Sequence, residues 1–418
     1  MGDFLLVTHG TAGDVLPFVG IGAALTARGH TATLVSHAPY AGRAEAAGLG
    51  FAAVDTVAAY EAGQRRTPDL LAARRPHELR GYYEREGLFD QLRREVDLLA
   101  ARHRPGHTVL VGRHTSALSV LVAADLLGAA SAWVAVAPVQ LMVAPVAAAH
   151  VRAGLAGGID AVRAGLGLPA VADWAGWLRS TRAVLGLWPD WFDAAGQRAP
   201  AGVTLTGFVS GDDAGPADAV PRDRPLLVTG GTGQLLHPRF YPVALDAVAA
   251  TGRPALVVAP SRDLLPARLP STVDWRPRLP FPSVLPHVAA ILHHGGIGTA
   301  VRAMRTGTPQ VLMAYGADRP DNAARLAARG AARWLPETAW TPEAVAAELS
   351  AAAADTGYGA RAAGLLDEPE DAAPARAARV LEGLLSATPP ASPGLADRLR
   401  GLSPQQRRLL ARRLAAGG

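Results

Sequence analysis

The segment His293-His294-Gly295-Gly296-Ile297-Gly298-Thr299 directly follows an apolar run, Ala290–His293, that has the pattern of a buried strand. Glycines let a backbone approach a ligand closely. A helix starting near Gly298 would point free N–H groups and a partial positive charge back at this loop. We therefore predict that the loop binds a pyrophosphate, with a hydroxyl from Thr299 and a side-chain N–H from His293. The alternative is a plain glycine-rich turn.

The same histidine pair is a poor binding site for zinc. Adjacent side chains diverge, and no further ligand recurs three or four residues on. The acid spacing elsewhere in the chain suggests no metal either, so we predict that no metal is bound.

Two further loops follow predicted strands in the same half of the chain. Gly230–Gly233 comes after Leu226–Thr229 and is predicted to form a wall of the same phosphate pocket. Tyr315–Ala323 comes after Gln310–Met313, where acids and amides at a strand end can hold sugar hydroxyls. Asp321 fits equally well as a helix N-cap.

A fourth loop, Thr8–Pro17, connects the first predicted strand to the first predicted helix. Its glycine spacing is not GxGxxG, so the dinucleotide-binding fingerprint is absent. Asp14 lies at the helix start, where a carboxylate is electrostatically favoured. It is either an N-cap or a general base directed into a cleft. His9, five residues earlier, is the competing base.

Composition limits the classes of protein to consider. The chain has 418 residues, which favours two domains, and no cysteine, which excludes disulfides, thiolate metal sites and a cysteine nucleophile. All 41 basic residues are arginine, so Schiff-base chemistry and a lysine-dependent phosphate loop are excluded. The net charge of +5 resides in residues 387–418, and the balanced remainder gives no reason to expect nucleic acid.

The start of the chain lacks the pattern of a signal peptide, so a cytoplasmic protein is expected. Residues 126–150 carry no Asp, Glu, Arg or Lys and are long enough to span a membrane. Gly128, Pro138 and Pro145 interrupt them, and we predict a buried strand, Ser131–Val136, that runs into an apolar loop.

Two parts of the chain each show a series of predicted strands that alternate with predicted helices. This pattern predicts two Rossmann-like domains, each a doubly wound parallel sheet, which face each other across a cleft. We assign residues 1–207 to a first domain, 208–223 to a linker and 224–386 to a second domain. The last helix, about 372–386, is expected to pack back on the first domain. Residues 387–418 form a Pro/Ser linker and a basic amphipathic helix.

Residues 140–200 contain four tryptophans. Insertions on a doubly wound sheet usually shape a binding site, and on this ground Trp174 and Trp177 are predicted to contact the acceptor. The alternative is that these tryptophans only pack helices together.

Two of these stretches carry a resemblance to a known family. LPFPSVLPHVAAILHHGGIGTAVRAMRTGTPQVLMAYGADRPDNAARL is similar to the donor-binding signature of the GT-B glycosyltransferases that attach sugars to antibiotics, sterols and other small molecules. GTAGDVLPFVGIGAALTARGH resembles the N-terminal GxxGDxxPxxxLAxxLxxxGH motif of that family. The resemblance covers about residues 1–386.

The resemblance implies a role for each matching residue. Asp14 would occupy the position of the acceptor-activating base. Asp318 would contact sugar hydroxyls, and Arg319 departs from the family's usual glutamine, which leaves the sugar open. Leu279, Phe281 and Val284 would lie near the base and ribose. The full set of donor-site residues is then His293, Gly295, Gly296, Gly298, Thr299, Asp318, Arg319, Gly231 and Thr232.

The activity implied is metal-independent, inverting transfer of a sugar from a dTDP- or UDP-activated donor to a hydroxyl of a small apolar natural product, without a further cofactor. The alternatives are a nucleotide-sugar 2-epimerase-like enzyme and a catalytically silent GT-B partner of a biosynthetic complex. The tail segment 395–416 resembles short elements of modular synthases, so it is predicted to dock such a synthase or a carrier protein. A membrane-surface helix, an inert extension and a homodimer are left open.

Overall fold

A computed structural model describes residues 1–72, 75–114, 116–210, 223–233 and 235–386. Most of the predicted linker 208–223 and all of the predicted tail helix 395–416 lie outside the described residues. The docking role of that helix therefore stays a prediction.

Seven parallel strands form an N-terminal sheet in the order β3-β2-β1-β4-β5-β6-β7. They are β1 (Asp3–Val7), β2 (Thr31–Ser36), β3 (Gly50–Ala53), β4 (Thr108–Arg113), β5 (Ala130–Ala135), β6 (Ala183–Gly186) and β7 (Val203–Leu205).

Six parallel strands form a C-terminal sheet in the order β10-β9-β8-β11-β12-β13. They are β8 (Leu226–Thr229), β9 (Ala255–Val258), β10 (Val273–Arg276), β11 (Ala290–His293), β12 (Gln310–Met313) and β13 (Arg333–Leu335). The predicted fold class, two doubly wound α/β sheets, is confirmed.

Helices connect the strands. In the N-terminal half they are α1 (Ala12–Ala27), α2 (Ala41–Ala46), α3 (Val57–Ala72), α4 (Pro76–Arg85), α5 (Leu88–Ala100), α6 (Ser119–Leu127), α7 (Pro138–Met142), α8 (Ala144–Gly165), α9 (Trp174–Leu178) and α10 (Asp190–Ala194). In the C-terminal half they are α11 (Phe240–Thr251), α12 (Phe281–Val284), α13 (Ile297–Arg305), α14 (Arg319–Ala328), α15 (Pro342–Ala353), α16 (Tyr358–Leu365) and α17 (Ala372–Ser386).

The strand order reverses once in each sheet, between β1 and β4 and between β8 and β11. Parallel sheets bind ligands at the carboxyl ends of their strands, at such a reversal point. The loops that follow β1, β8 and β11 are three of the four loops that the sequence singled out. Topology therefore brings the predicted functional loops to the binding edge of their sheets.

The N-terminal sheet is covered on both faces, because successive side chains of a strand point to opposite sides. On β1, Leu6 packs in a core with Phe18 of α1, whereas Leu5 packs in a second core with Val96 of α5 and Leu121 of α6. These two cores hold the carboxyl end of β1 in a fixed position, together with the loop that follows it.

The last described helix, α17, packs on the N-terminal sheet although it follows the C-terminal sheet in the chain. Ala377, Ala378 and Leu381 are fully buried in the same core as Leu6. Glu382 on this helix accepts hydrogen bonds from Arg28, whose Nε lies 2.5 Å from Oε1. The helix therefore crosses between the two halves and ties them together.

A second tie between the halves is Arg325 on α14. Its side chain is 1% exposed, and its guanidinium donates to the backbone carbonyls of Phe192, Asp193 and Gln197 at 2.8–2.9 Å. Its Nε lies 2.8 Å from Oδ2 of Asp321. Asp321 thus pairs within its own helix, which agrees with a structural role.

We expect Arg325→Met to lower the free energy of unfolding by about 3 kcal/mol or more, because the variant leaves three carbonyls and Asp321 without this cation. Arg329→Met is the control, since this exposed arginine lies at the end of the same helix. It is expected to change stability by less than about 0.5 kcal/mol. Urea denaturation followed by fluorescence measures both changes. Equal midpoints for the two variants would show that the Arg325 contacts do not stabilise the protein.

Candidate active site

The predicted phosphate loop connects β11 to α13. Gly295 has a φ of +88°, a backbone conformation that residues with a side chain rarely adopt. A Cβ at this position would lie 3.1 Å from the Cβ of Ala314 and 3.3 Å from the carbonyl oxygen of Arg319. The loop can therefore fold so tightly only with glycine at this position, and the tight turn leaves the amino end of α13 at the edge of the sheet.

His293 lies in the core beneath the loop. Its side chain is fully buried, with Nε2 2.8 Å from Oε1 of Gln310, and Nδ1 accepts a hydrogen bond from the backbone N–H of Gly295 at 3.2 Å. Burial lowers the pKa of His293 to about 4, so the ring is neutral at pH 7. Both ring nitrogens are thus used within the protein, and the contact of this side chain with a diphosphate stays a prediction.

His294 is the more exposed member of the pair. It is half-buried between two glycine turns: a Cβ on Gly231 would lie 2.5 Å from its Cε1, and a Cβ on Gly296 2.5 Å from its Nε2. Burial, reinforced by the charge of Arg319, holds the pKa of His294 well below its usual range. Its Nδ1 is buried and has no hydrogen-bond partner among the described residues.

The prediction of His293 came from its place at the strand end and from the family resemblance, and adjacent side chains leave a strand in opposite directions. One histidine of the pair therefore enters the core when the other faces the loop. The nearness of His294 to the amino end of α13 was the available signal.

The second glycine turn lies against the N-terminal half. The hydroxyl of Thr232 accepts a hydrogen bond from the backbone N–H of Ala12 at 3.3 Å, and a Cβ on Gly233 would lie 3.0 Å from Thr11. Gly231 lies beside His294. The start of α1 and the phosphate loop are thus joined by this turn.

Asp318 and Arg319 begin α14. The Asp318 carboxylate accepts from the side-chain amide of Asn322 at 2.8 Å, and burial, reinforced by the negative charge of Asp14, raises its pKa. Arg319 donates to the backbone carbonyls of Leu235 and Tyr315. The negative charge of Asp14 acts on the pKa of both groups, so the start of α1 lies near the start of α14.

Asp14 is held from two sides. Its Oδ2 accepts from the backbone N–H of Thr11 at 2.8 Å, and its Oδ1 lies 2.7 Å from Nη2 of Arg113. Its side chain is 21% exposed. The contact with Thr11 is half of a capping box at the start of α1. The two interpretations of Asp14 are therefore compatible, because the cap leaves the carboxylate at the cleft.

His9 has a partner that sequence reasoning missed. Its Nε2 lies 2.7 Å from Oε1 of Glu95, a residue that is 2% exposed. Ser119 and Gln91 also donate to this carboxylate, at 2.5 and 2.7 Å. Burial opposes ionisation, but the charge and hydrogen bond of His9 outweigh it and lower the pKa of Glu95. The two partners are 86 positions apart, so no local spacing indicated the pair.

The tryptophans predicted to contact the acceptor lie in the core. Trp174 and Trp177 are 7% and 8% exposed and stack edge to face at 5.3 Å. The indole N–H of Trp177 donates to Asp125 at 2.9 Å, and Arg163 lies over its ring. These contacts favour the alternative that the two tryptophans pack helices together, and the acceptor contact of both residues stays a prediction.

A small cleft separates the starts of α1 and α13 and opens to solvent. Most of its lining is apolar or glycine, and it is formed by Ala12, Gly13, Leu16, Pro17, Val136, Leu187, Phe208, Val209, Ser210, Ile297, Gly298, Val301 and Arg302. Both halves thus contribute to one site.

Within the described part of the chain, no helix has both the length and the apolar character needed to cross a membrane. No group of three or more His, Asp or Glu side chains among the described residues is arranged to hold a metal ion.

Comparison with known proteins finds partial matches in sequence and a match in fold. Residues 244–384 match the family model of the erythromycin biosynthesis protein CIII-like C-terminal domain. The chain is 37% identical over 153 residues to O-mycaminosyltylonolide 6-deoxyallosyltransferase of Streptomyces fradiae, which covers 35% of this chain and 34% of that relative. The chain therefore matches about a third of the length of this curated relative.

Solved structures match nearly the whole chain. The glycosyltransferase of kitacinnamycin superposes with a TM-score of 0.68 at 22% identity, over 92% of this chain and 99% of that one. The glycosyltransferase VinC in complex with dTDP superposes with a TM-score of 0.67 at 19% identity, over 92% and 99%. The fold is the GT-B fold, and the predicted resemblance to natural-product glycosyltransferases is confirmed.

Proposed function

We propose that this chain is a glycosyltransferase that moves a sugar from a nucleotide diphosphate donor to a hydroxyl of a small natural product. One observation carries the proposal: the starts of α1 and α13 line the same cleft, and the negative charge of Asp14, on α1, acts on the pKa of Asp318 and Arg319 at the start of α14. A site for a departing anion thus faces a carboxylate that can accept a proton. The similarity to glycosyltransferases supports this proposal.

The donor side would stabilise the leaving group. The cleavage of the bond between the anomeric carbon and the diphosphate oxygen leaves negative charge on that oxygen. The free N–H groups of α13 and the hydroxyl of Thr299 are the groups that would meet this charge, with the ring of His294 beside them. They are in place before the reaction, so no reorganisation is needed as the charge grows. We propose that this neutralisation serves in place of a metal ion.

For the nucleotide we propose dTDP or UDP. The complex of VinC with dTDP supports this choice. Leu279 and Phe281 are partly buried against a core of the C-terminal half that contains Val284. This apolar surface suits one face of a pyrimidine base.

On the acceptor side, the acceptor oxygen would bond to the anomeric carbon from the face opposite the diphosphate, so the configuration inverts. The hydroxyl proton passes to a base. We propose Asp14 as this base because of its place opposite the donor residues. The pair of His9 with buried Glu95 is the alternative, since Glu95 holds Nε2 and no described residue bonds Nδ1.

Mass spectrometry of the purified full chain with a panel of dTDP- and UDP-sugars tests the proposal. A glycosyltransferase is expected to release the nucleoside diphosphate slowly in the absence of acceptor and to form a sugar adduct when hydroxylated aromatic compounds are added. A 2-epimerase would change the donor without needing an acceptor. If the chain neither turns over nor binds any of the donors, only the silent partner protein is left, and the proposal is overturned.

A further inference from the structure

Arg113 is the last residue of β4, at the binding edge of the N-terminal sheet. Its side chain is 18% exposed, so most of it is removed from water. The one ionic contact seen among the described residues joins its Nη2 to Oδ1 of Asp14 at 2.7 Å. The residue therefore lies in the acceptor side of the proposed site, directly beside the proposed base.

The guanidinium of Arg113 has more hydrogen-bonding capacity than its surroundings use. An arginine offers five N–H donors in a planar fork. Its Nε is buried and has no hydrogen-bond partner among the described residues. A buried donor without a partner is unfavourable unless a ligand satisfies it. The guanidinium thus has unused hydrogen-bond donors on the side of the site where we propose that the sugar acceptor binds.

The charges nearby also favour an anion. Asp14 shares its carboxylate with the N–H of Thr11 at the amino end of α1, and it acts across the cleft on Arg319. The neighbouring His114 does not compensate for Arg113, because burial, followed by the charge of Arg113, lowers the pKa of His114 to about 4. Asp318 acts on Arg319 as well, so two carboxylates, Asp14 and Asp318, serve two arginines and a helix end.

We propose that Arg113 binds an anionic oxygen of the acceptor, a carboxylate or an ionised acidic hydroxyl, next to the hydroxyl that receives the sugar. The inference rests on the proposed function, because it names the class of acceptor for the same site. A planar fork binds a carboxylate through two parallel hydrogen bonds, and a single anionic oxygen through one. Because Arg113 contacts Asp14, the anionic oxygen and the reacting hydroxyl must be neighbours on the acceptor.

The test uses two matched pairs of small aromatic probes and calorimetry in the presence of dTDP. The carboxylate pair is 3-hydroxy-2-naphthoate and its methyl ester, and the enolate pair is 2-hydroxy-1,4-naphthoquinone and its methyl ether. The wild-type protein is expected to bind the charged member of at least one pair about tenfold more tightly than the neutral member. The pair that shows this preference identifies the source of the anionic oxygen.

Arg113→Gln is expected to reduce that preference to within about twofold, and Arg113→Lys to retain part of it, because lysine keeps the charge but loses the fork. Arg94→Gln, an exposed arginine of α5, removes the same charge elsewhere and is expected to keep the full preference. A role restricted to positioning Asp14 would leave the ratio of the affinities for the two members of a pair unchanged in Arg113→Gln.

A wild-type protein without preference for a charged probe, including one that binds neither member, overturns this inference. So does an Arg113→Gln variant that keeps the wild-type preference. Failure of the proposed function is recognised separately, since it would abolish dTDP binding or donor turnover in the wild-type protein. Neither of those measurements involves an acceptor.

Discussion

Asp14→Asn is expected to reduce sugar transfer by at least about a hundredfold, the usual effect of removing a general base. Affinity for dTDP is expected to stay within about twofold, because Asp14 lies on the acceptor side of the cleft and asparagine can still accept the N–H of Thr11. Steady-state transfer kinetics and calorimetry measure the two effects. The comparison of kcat with nucleotide affinity separates loss of chemistry from loss of binding.

The alternative base provides the contrast. If Asp14 acts only as a cap and a partner of Arg113, the large loss should instead follow His9→Asn, and Glu95→Gln should lower the rate as well. A helix cap contributes about 1 kcal/mol to stability and nothing to the proton transfer. Transfer at the wild-type rate in Asp14→Asn would remove this residue from the mechanism.

His294→Ala is expected to weaken dTDP binding by about tenfold or more, because it removes a side chain that lies between the two glycine turns and has an unpartnered ring nitrogen. Thr299→Ala is expected to act in the same direction by removing one hydroxyl. Neither change is expected to lower the melting temperature by more than a few degrees, a shift that corresponds to about 1 kcal/mol.

His293→Ala is the matched control for His294→Ala, because the two residues are adjacent and have the same side chain. It is expected to destabilise the protein by about 2 kcal/mol or more, since it removes a fully buried ring and leaves Gln310 and the N–H of Gly295 without this partner. Thermal denaturation and dTDP calorimetry on both variants test the assignment. The reverse pattern, with binding lost only in His293→Ala, would return the ligand role to His293.

The sequence by itself determined the architecture and the loops of the site. Alternating apolar runs and helices predicted two parallel sheets, and the glycine turns after Leu226–Thr229 and Ala290–His293 indicated the binding edge. These are local signals: the length of an apolar run, a glycine where a side chain does not fit and an acid at a helix start all act within a few residues. For this reason the expected strands and the predicted fold were found.

The partners within the site were decided only by the tertiary structure. Glu95, on α5, contacts His9, and Arg113, at the end of β4, contacts Asp14 on α1. The burial of Trp174 and Trp177 depended in the same way on which surfaces meet. Which side of a strand faces the core, and which charges meet across a cleft, are set by the packing of segments far apart in the chain, and residue spacing carries no record of it.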